Sequence, residues 1–190
     1  MTKNIMIVGI GGQGTLLASR ILGSTLIAED YDVKLSEVHG MSQRGGSVVT
    51  YVRYGDKVYS PTVEKGEADV ILAFELLEGY RALPYLKKDG KIIVNRQQID
   101  PMPVITGGMS YPEDIEGKIS AEANSAFVDA LKIAETVGNV KAVNVTLIGV
   151  LAALTDIPKE KWREAIQRTV PEKFQEVNLK AFEAGYELKF

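Results

Sequence analysis

A glycine-rich turn that follows a short apolar segment constrains the fold of this chain more than any other feature. Residues 5–14 read IMIVGIGGQG, which contains the pattern G-x-G-x-x-G. A helical pattern follows over residues 15–28. A strand, a glycine turn and a helix in this order are the context in which such a motif binds anions through the free N–H groups of a helix N-terminus. The sequence therefore predicts an α/β fold, in which this turn is either a phosphate or carboxylate site or a tight turn without a ligand.

Composition limits the other possibilities. The chain has 190 residues, 45% of them apolar, and a net charge of −3. It contains no cysteine and a single histidine, His39, so it cannot bind iron–sulfur clusters through thiolates or form a two-histidine metal site by itself. The sequence shows no signal peptide, no apolar run of the roughly 20 residues that span a bilayer, and no basic field for nucleic acid. We expect one cytoplasmic domain over residues 1–190, without a metal site and without nucleic-acid or membrane partners.

Apolar patterning indicates alternating strands and helices, followed by a helical last third. The predicted strands cover residues 5–8, 31–38, 48–54, 68–74 and 91–95. The predicted helices cover residues 15–28, 75–85, 120–136, 144–154, 158–168 and 171–187. Residues 100–112 are predicted to form a loop with a possible short strand at Val104 and Ile105. The first strand is apolar on both faces and is expected at the centre of the sheet.

The connection after the second strand is unusually short. Only residues 39–47 separate the second and third predicted strands, whereas a parallel crossover normally needs a dozen or more residues. We therefore predict an antiparallel excursion here, and a further hairpin with Gly55 and Asp56 at its turn. The expected fold is a Rossmann-like three-layer α/β domain. Its sheet is mixed but mostly parallel, with an antiparallel excursion after strand two and a helical C-terminal third.

The short connection carries side chains suited to chemistry. In HGMSQRGGS, the polar residues His39, Ser42, Gln43 and Arg44 alternate with glycines. Arg44 can bind a carboxylate or a phosphate through two parallel hydrogen bonds. This loop and the glycine turn both follow carboxyl ends of strands, so they are expected at the same edge of the sheet. The alternative is an unusually polar surface loop without a ligand.

Two further readings remain open. Glu37 lies where a dinucleotide-binding fold holds a ribose, but the crossover helix is missing and Gln13 places a long amide inside the turn. Asn144 begins an apolar helix and is expected as its N-cap, with a site contact as the alternative. Because that helix is apolar on nearly all sides, it is either fully buried or half of a homodimer interface.

Two segments resemble a known family. GIGGQGTLLASRIL and EVHGMSQRGGSVVTYVRYG, in this order and spacing, are similar to the gamma-type domain of 2-oxoacid:ferredoxin oxidoreductases, and NVTLIG at residues 144–149 resembles a third, weaker segment. The first motif matches at Gly9, Gly11, Gly12, Gln13 and Gly14. The second matches at Glu37, His39, Gly40, Met41, Ser42, Gln43, Arg44, Gly45 and Gly46. The similarity covers nearly the whole chain, and overall likeness favours indolepyruvate over pyruvate or branched-chain members.

The resemblance implies an accessory subunit that is inactive alone. In such enzymes a 2-oxoacid is oxidatively decarboxylated, its acyl group passes to coenzyme A, and ferredoxin is reduced. Thiamine diphosphate, magnesium and the iron–sulfur clusters are implied on a larger alpha subunit. The candidates at the active-site edge are Glu37, His39, Ser42, Gln43 and Arg44. The candidates for cofactor contact are Gly9, Gly11, Gly12, Gln13, Gly14, Gly45, Gly46 and Asn144. A stand-alone dinucleotide-binding enzyme and a non-catalytic scaffold are the competing hypotheses.

Overall fold

A computed structural model describes residues 2–40, 42 and 45–189 of the chain. Its six strands are β1 (Lys3–Ile10), β2 (Asp32–His39), β3 (Ser47–Gly55), β4 (Ala68–Ala73), β5 (Leu86–Asn95) and β6 (Asn124–Val128). They form one sheet in the order β2-β3-β1-β4-β5-β6. β3 pairs antiparallel with both β1 and β2, while β1, β4, β5 and β6 pair in parallel. The mixed, mostly parallel sheet and the antiparallel excursion after strand two are confirmed.

Eight α-helices are present in the described part of the chain. They are α1 (Thr15–Ile27), α2 (Leu76–Ala82), α3 (Met102–Ile105), α4 (Ile115–Glu122), α5 (Ala130–Thr136), α6 (Val143–Ala152), α7 (Lys159–Thr169) and α8 (Glu172–Tyr186). Short 3₁₀ turns precede β5 and α6 at Leu83–Tyr85 and Val140–Ala142. The four helices from α5 onward form the predicted helical C-terminal third.

The alternation of apolar side chains along β1 creates the three layers. Ile5 and Ile7 face a core that includes side chains of α1, α6, α7 and α8, among them the fully buried Trp162. Met6 and Val8 face the other side, where side chains of α2 and α4 form a second core. Neighbouring residues of a strand point to opposite faces, so a strand that is apolar throughout must be covered on both. β1 is accordingly central, as predicted.

The apolar helix α6 is buried within the chain itself. Its residues from Asn144 to Ala152 are all buried, and α8 packs closely along it. Of the two alternatives raised by the sequence, full burial is therefore the one observed. A helix covered in this way needs no second subunit to shield it, which removes the reason to expect a homodimer contact there.

The predicted helix over residues 120–136 is wrong. This segment contains the end of α4, the strand β6 and the helix α5. β6 is only five residues long and pairs in parallel with β5 from Asn124 opposite Lys91 to Val128 opposite Asn95. Its composition suits a helix, but the open edge of β5 offers backbone partners, and this tertiary pairing outweighs local propensity.

Two smaller predictions after β3 and β5 are also wrong. Residues 56–67, all of them described, form no strand, so the expected hairpin beyond Gly55 is absent. The reason is topological, because β2 and β1 already occupy both edges of β3. Val58 instead donates its N–H to the Asp32 carboxylate at 2.9 Å. Val104 and Ile105 lie in the short helix α3 and not in a strand.

Candidate functional site

The glycine turn between β1 and α1 leaves several N–H groups free. Gly12 and Gly14 have φ angles of +104° and +84°, values that favour glycine. Gly14 is the N-cap of α1, and its carbonyl accepts from Leu17 and Ala18. Within the described residues, no acceptor meets the N–H groups of Gly12, Gly14, Thr15 or Leu16. The turn therefore presents donors and the positive end of the helix dipole to one side.

Gln13 fixes the shape of this turn. Its Oε1 accepts from the Ile10 N–H at 2.7 Å, and its Nε2 donates to the Phe74 carbonyl and to Gln97 Oε1, both at 3.0 Å. The amide thus ties the end of β1 to the ends of β4 and β5. Gly9 lies beneath it, where a Cβ would come within 2.8 Å of Gln13 Oε1. Both residues lie behind the turn and act on its conformation; a ligand contact by Gln13 stays a prediction.

The two predicted loops are joined to each other. Gly11 donates its N–H to the Gly46 carbonyl at 2.9 Å, and Gly45 donates back to the Gly11 carbonyl at 3.3 Å. Gly45 has a φ of +77°, and a Cβ on Gly46 would lie 2.6 Å from the Ser42 carbonyl oxygen. Glycine is therefore required at both positions for the second loop to reach the first. The expectation that the loops meet at one edge of the sheet is confirmed.

A cleft of about 410 Å³ opens beside the joined loops. Its lining comprises Gly11, Gly12, Gly14, Thr15, Leu16, Glu37, His39 and Val48. Glu37 is half-buried and accepts a 3.3 Å hydrogen bond from the Thr50 hydroxyl, whereas His39 is exposed and its Nδ1 lies 3.0 Å from the Gly40 carbonyl oxygen. The cleft thus combines free backbone donors with one carboxylate and one imidazole. Such a set can bind an anion and exchange a proton beside it.

The other candidate residues fall into three groups. Ser42 is exposed in the second loop, close to the joined glycines. Met41, Gln43 and Arg44 lie outside the described residues. Asn144 lies behind the turn, with its Nδ2 3.4 Å from the Gly14 carbonyl oxygen. The expectation that Asn144 caps α6 is wrong, since the N-cap is Ala142. Its side chain contacts the glycine turn instead, and a contact of Asn144 with a cofactor stays a prediction.

Sequence reasoning missed a polar network at the ends of β4 and β5. Asn95 donates to the Phe74 carbonyl at 3.1 Å and accepts from the Ala130 N–H. Glu75 is fully buried and accepts from the N–H groups of Glu78 and Ile99. It also accepts from the Tyr111 hydroxyl at 2.6 Å, and burial followed by this bond raises the Tyr111 pKa well above its usual value. The usable signal in the sequence was a polar residue at, or within two residues of, the end of each buried apolar strand.

The described residues bring no three histidine, aspartate or glutamate side chains together as a metal site. No helix among them has the length and apolar character needed to cross a bilayer. The described residues between β2 and β3 form no crossover helix like that of a dinucleotide-binding unit, and the two strands pair antiparallel. The Glu37 carboxylate is bonded to Thr50 on the neighbouring strand. The geometry is therefore that of a cleft with free backbone N–H donors on a different topology.

Comparisons with known proteins agree with the motifs. The family model described as pyruvate ferredoxin/flavodoxin oxidoreductase matches residues 4–188. Indolepyruvate oxidoreductase subunit IorB of Pyrococcus horikoshii is 46% identical over 188 residues, which are 96% of this chain and 93% of that protein. Ketoisovalerate oxidoreductase subunit VorA of Methanothermobacter thermautotrophicus is 31% identical, and its match covers 96% of this chain but 35% of that protein.

A solved structure shares the fold. The gamma subunit of a keto/oxoacid ferredoxin oxidoreductase from Geobacter sulfurreducens superposes with a TM-score of 0.73 at 26% identity. The match covers 97% of this chain and 96% of that one. The sequence resemblance to gamma-type domains is thereby confirmed, as is the α/β fold class.

Proposed function

The chain belongs to the pyruvate ferredoxin/flavodoxin oxidoreductase family, and we propose that it is the small accessory subunit of an indolepyruvate:ferredoxin oxidoreductase. The complex would oxidatively decarboxylate an aryl 2-oxoacid, transfer the acyl group to coenzyme A and reduce ferredoxin. The higher identity to the indolepyruvate relative, 46% against 31% for the ketoisovalerate relative, supports this substrate.

The reactive cofactors are assigned to a larger partner subunit. A sequence without cysteine has no thiolate to ligate iron–sulfur clusters. Thiamine diphosphate and magnesium belong with them on the partner, because the sequence has no acidic motif for that pair. The VorA relative, in which this domain occupies 35% of a longer chain, supports a functional arrangement beside a larger polypeptide.

One observation carries the role of this chain. The two segments that bear the family resemblance are joined by the hydrogen bonds between Gly11 and Gly45–Gly46, and they border the cleft with free N–H groups. A Cβ on Gly12 would meet nothing within 4 Å, so the donors are open to a ligand. We assign this cleft to one wall of the active site, where it binds a phosphate group of coenzyme A or of thiamine diphosphate. Glu37 and His39 lie beside that anion.

Reconstitution tests the assignment. The purified chain should show no 2-oxoacid-dependent reduction of ferredoxin, and addition of the large subunit from the same source should restore it. Indolepyruvate should give a higher kcat/KM than pyruvate or 2-ketoisovalerate. Turnover by the isolated chain, or a complex that prefers pyruvate, contradicts the proposal.

Variants of His39 in the cleft and of Arg44 in the second sequence motif test whether these segments contribute to catalysis or only join subunits. His39→Ala and Arg44→Ala should each lower turnover of the assembled enzyme while leaving its melting temperature almost unchanged. His39 is exposed, so its replacement costs little stability. Gln98→Ala, at an exposed amide that does not line the cleft, is the matched control. Full turnover by variants that assemble normally would mean that the loops only join subunits.

A further inference from the structure

The outermost strand of the sheet has one open edge. β2 pairs with β3 on one side and is the last strand in the sheet order. Alternate N–H and C=O groups along an edge strand point away from its neighbour and are available to another strand. Two apolar side chains of β2 are also exposed, with Leu35 at 41% and Val38 at 55% of their full accessibility. Isolated proteins usually protect such an edge, so this one is suited to a partner.

A groove runs along the same strand. It has a volume of about 620 Å³ and lies between α1, β2 and the end of α7. Its lining comprises Ser19, Arg20, Gly23, Ser24, Ile27, Ala28, Val33, Leu35 and Arg168. The small residues of α1 keep the groove open, and a Cβ on Gly23 would meet nothing within 4 Å. Ile27, Val33 and Leu35 provide its apolar surface.

The charged residues that line the groove are all positive. Arg20 and Arg168 border it, and neither forms an ion pair with any of the described residues. None of the lining residues carries a carboxylate. This local positive charge stands out in a chain whose net charge is −3. A segment that fills the groove is therefore expected to carry acidic side chains.

The groove continues into the anion-binding cleft. Val33 and Leu35 in the groove lie on the same face of β2 as Glu37 and His39 in the cleft, because residues two apart on a strand share a face. On α1, Leu16 lines the cleft and Arg20, one turn later, lines the groove. A chain that pairs with β2 thus runs from the groove to the edge of the active site.

We propose that an extended segment of the larger catalytic subunit, with acidic side chains among apolar ones, pairs with β2 and fills this groove. Every second side chain of such a strand projects onto the α1 face, where it meets Leu35 and the two arginines. A second copy of this chain does not fit the charge, because a twofold contact brings the arginines of both copies together without a carboxylate in the lining. The inference rests on the proposed function, which supplies the larger partner.

The proposal is tested by measuring the affinity for the large subunit after substitution of apolar and charged residues that line the groove. Leu35→Asp should weaken the affinity by about tenfold or more, since it removes an apolar side chain that the partner segment would bury. Leu131→Asp is the matched control, because Leu131 is similarly exposed, at 38%, but lies on α5, which follows the strand at the opposite edge of the sheet. Arg20→Glu should also weaken binding, whereas the exposed Lys88→Glu at the amino end of β5 should not. Hydrogen exchange in the wild-type complex should show new protection of amides in β2.

The outcomes are distinct. If the wild-type chain does not bind the large subunit, the proposed function fails, and this inference fails with it. If the wild type binds but Leu35→Asp and Arg20→Glu bind equally well and β2 gains no protection, the docking surface alone is wrong. Sedimentation of the isolated chain gives the remaining outcome: a dimer that Leu35→Asp converts to a monomer, with partner binding unchanged, assigns the groove to a second copy and overturns the proposal.

Discussion

At the scale of single residues, Gln13 decides what the glycine turn can be. In a glycine motif that binds phosphate, the positions between the glycines usually face the ligand or the solvent. Here the Gln13 amide turns inward and bridges the ends of β1, β4 and β5 through Ile10, Phe74 and Gln97. The Gln13 side chain thus provides hydrogen-bond partners for backbone groups at the point where the three strands end. The free donors of the turn are therefore the N–H groups of Gly12, Gly14, Thr15 and Leu16.

Replacement of Gln13 should reduce stability more than replacement of an exposed amide. Gln13→Ala leaves the Ile10 N–H without a partner and removes one of the two donors to the Phe74 carbonyl, which keeps Asn95. We expect a loss of about 1–3 kcal/mol in the free energy of unfolding. Gln98→Ala removes only an exposed contact with Asp100 and should change it by less than about 0.5 kcal/mol. Urea denaturation of both variants gives the comparison. Equal effects of the two changes would show that Gln13 does not hold the turn.

At the scale of elements, two glycines set the distance between α6 and α8. A Cβ on Gly149 would lie 2.2 Å from the Phe182 carbonyl oxygen, and one on Gly185 would lie 2.0 Å from the Thr146 carbonyl oxygen. The two helix backbones are therefore in direct contact, and no larger residue fits between them. This close approach is how an apolar helix such as α6 is sealed from solvent within one chain.

Alanine substitutions should separate this packing effect from helix propensity. Gly149→Ala and Gly185→Ala should each lower the free energy of unfolding by about 1–3 kcal/mol or more, because the added methyl group forces the helices apart. Gly23→Ala is the matched control in α1, where a Cβ meets nothing within 4 Å. It should raise stability by about 0.5–1 kcal/mol through helix propensity alone. The free energy of unfolding of each variant is measured by denaturation. If all three substitutions change it in the same direction, the proposed close contact between α6 and α8 is contradicted.

At the scale of the whole molecule, one sheet supports both cores. β1 contributes Ile5 and Ile7 to one core and Met6 and Val8 to the other. Loss of the sheet therefore removes both cores together, and we propose that residues 1–190 unfold as a single domain. Equality of the calorimetric and van't Hoff enthalpies is the measurement that checks it.

Alkaline pH should lower the free energy of unfolding of the whole molecule, because several tyrosines have raised pKa values in the folded state. Burial raises the pKa of Tyr54 to about 12, and burial also raises the pKa values of Tyr51 and Tyr111. An unfolded tyrosine ionises near pH ~10, so above that pH the unfolded state loses protons first. The stability contributed by the neutral hydroxyls is complete below pH ~10 and is lost as the pH rises toward the folded-state pKa.

The test is denaturation from about pH 8 to about pH 11.5. The wild type should lose stability more steeply above pH ~10 than Tyr54→Phe, which removes one of these ionisations. Tyr59→Phe is the control, because Tyr59 is 89% exposed and should not alter the slope. A Tyr54→Phe profile that parallels the wild type contradicts the role of burial.

Local patterns account for most of the fold and for the position of the site. The glycine turn, the helix after it and the short β2–β3 connection each depend on residues within about ten positions of one another. Over such distances, backbone sterics and the spacing of apolar residues determine the local structure. The connection of nine residues was enough to predict the antiparallel excursion. The family motifs then identified the two loops that border the cleft.

The sequence by itself determined the order of most elements and the shared edge of the two loops. Without a cysteine, its 190 residues also offer no thiolate ligand for an iron–sulfur cluster. The tertiary structure alone decided that residues 124–128 form a strand, that Gln13 is bonded inward, and that Glu75, Asn95 and Tyr111 complete the sheet edge. These outcomes join residues far apart in the chain, such as Gln13 and Gln97. Such contacts depend on which strand edges and backbone groups are still unpaired once the sheet has assembled, and a linear pattern does not record this.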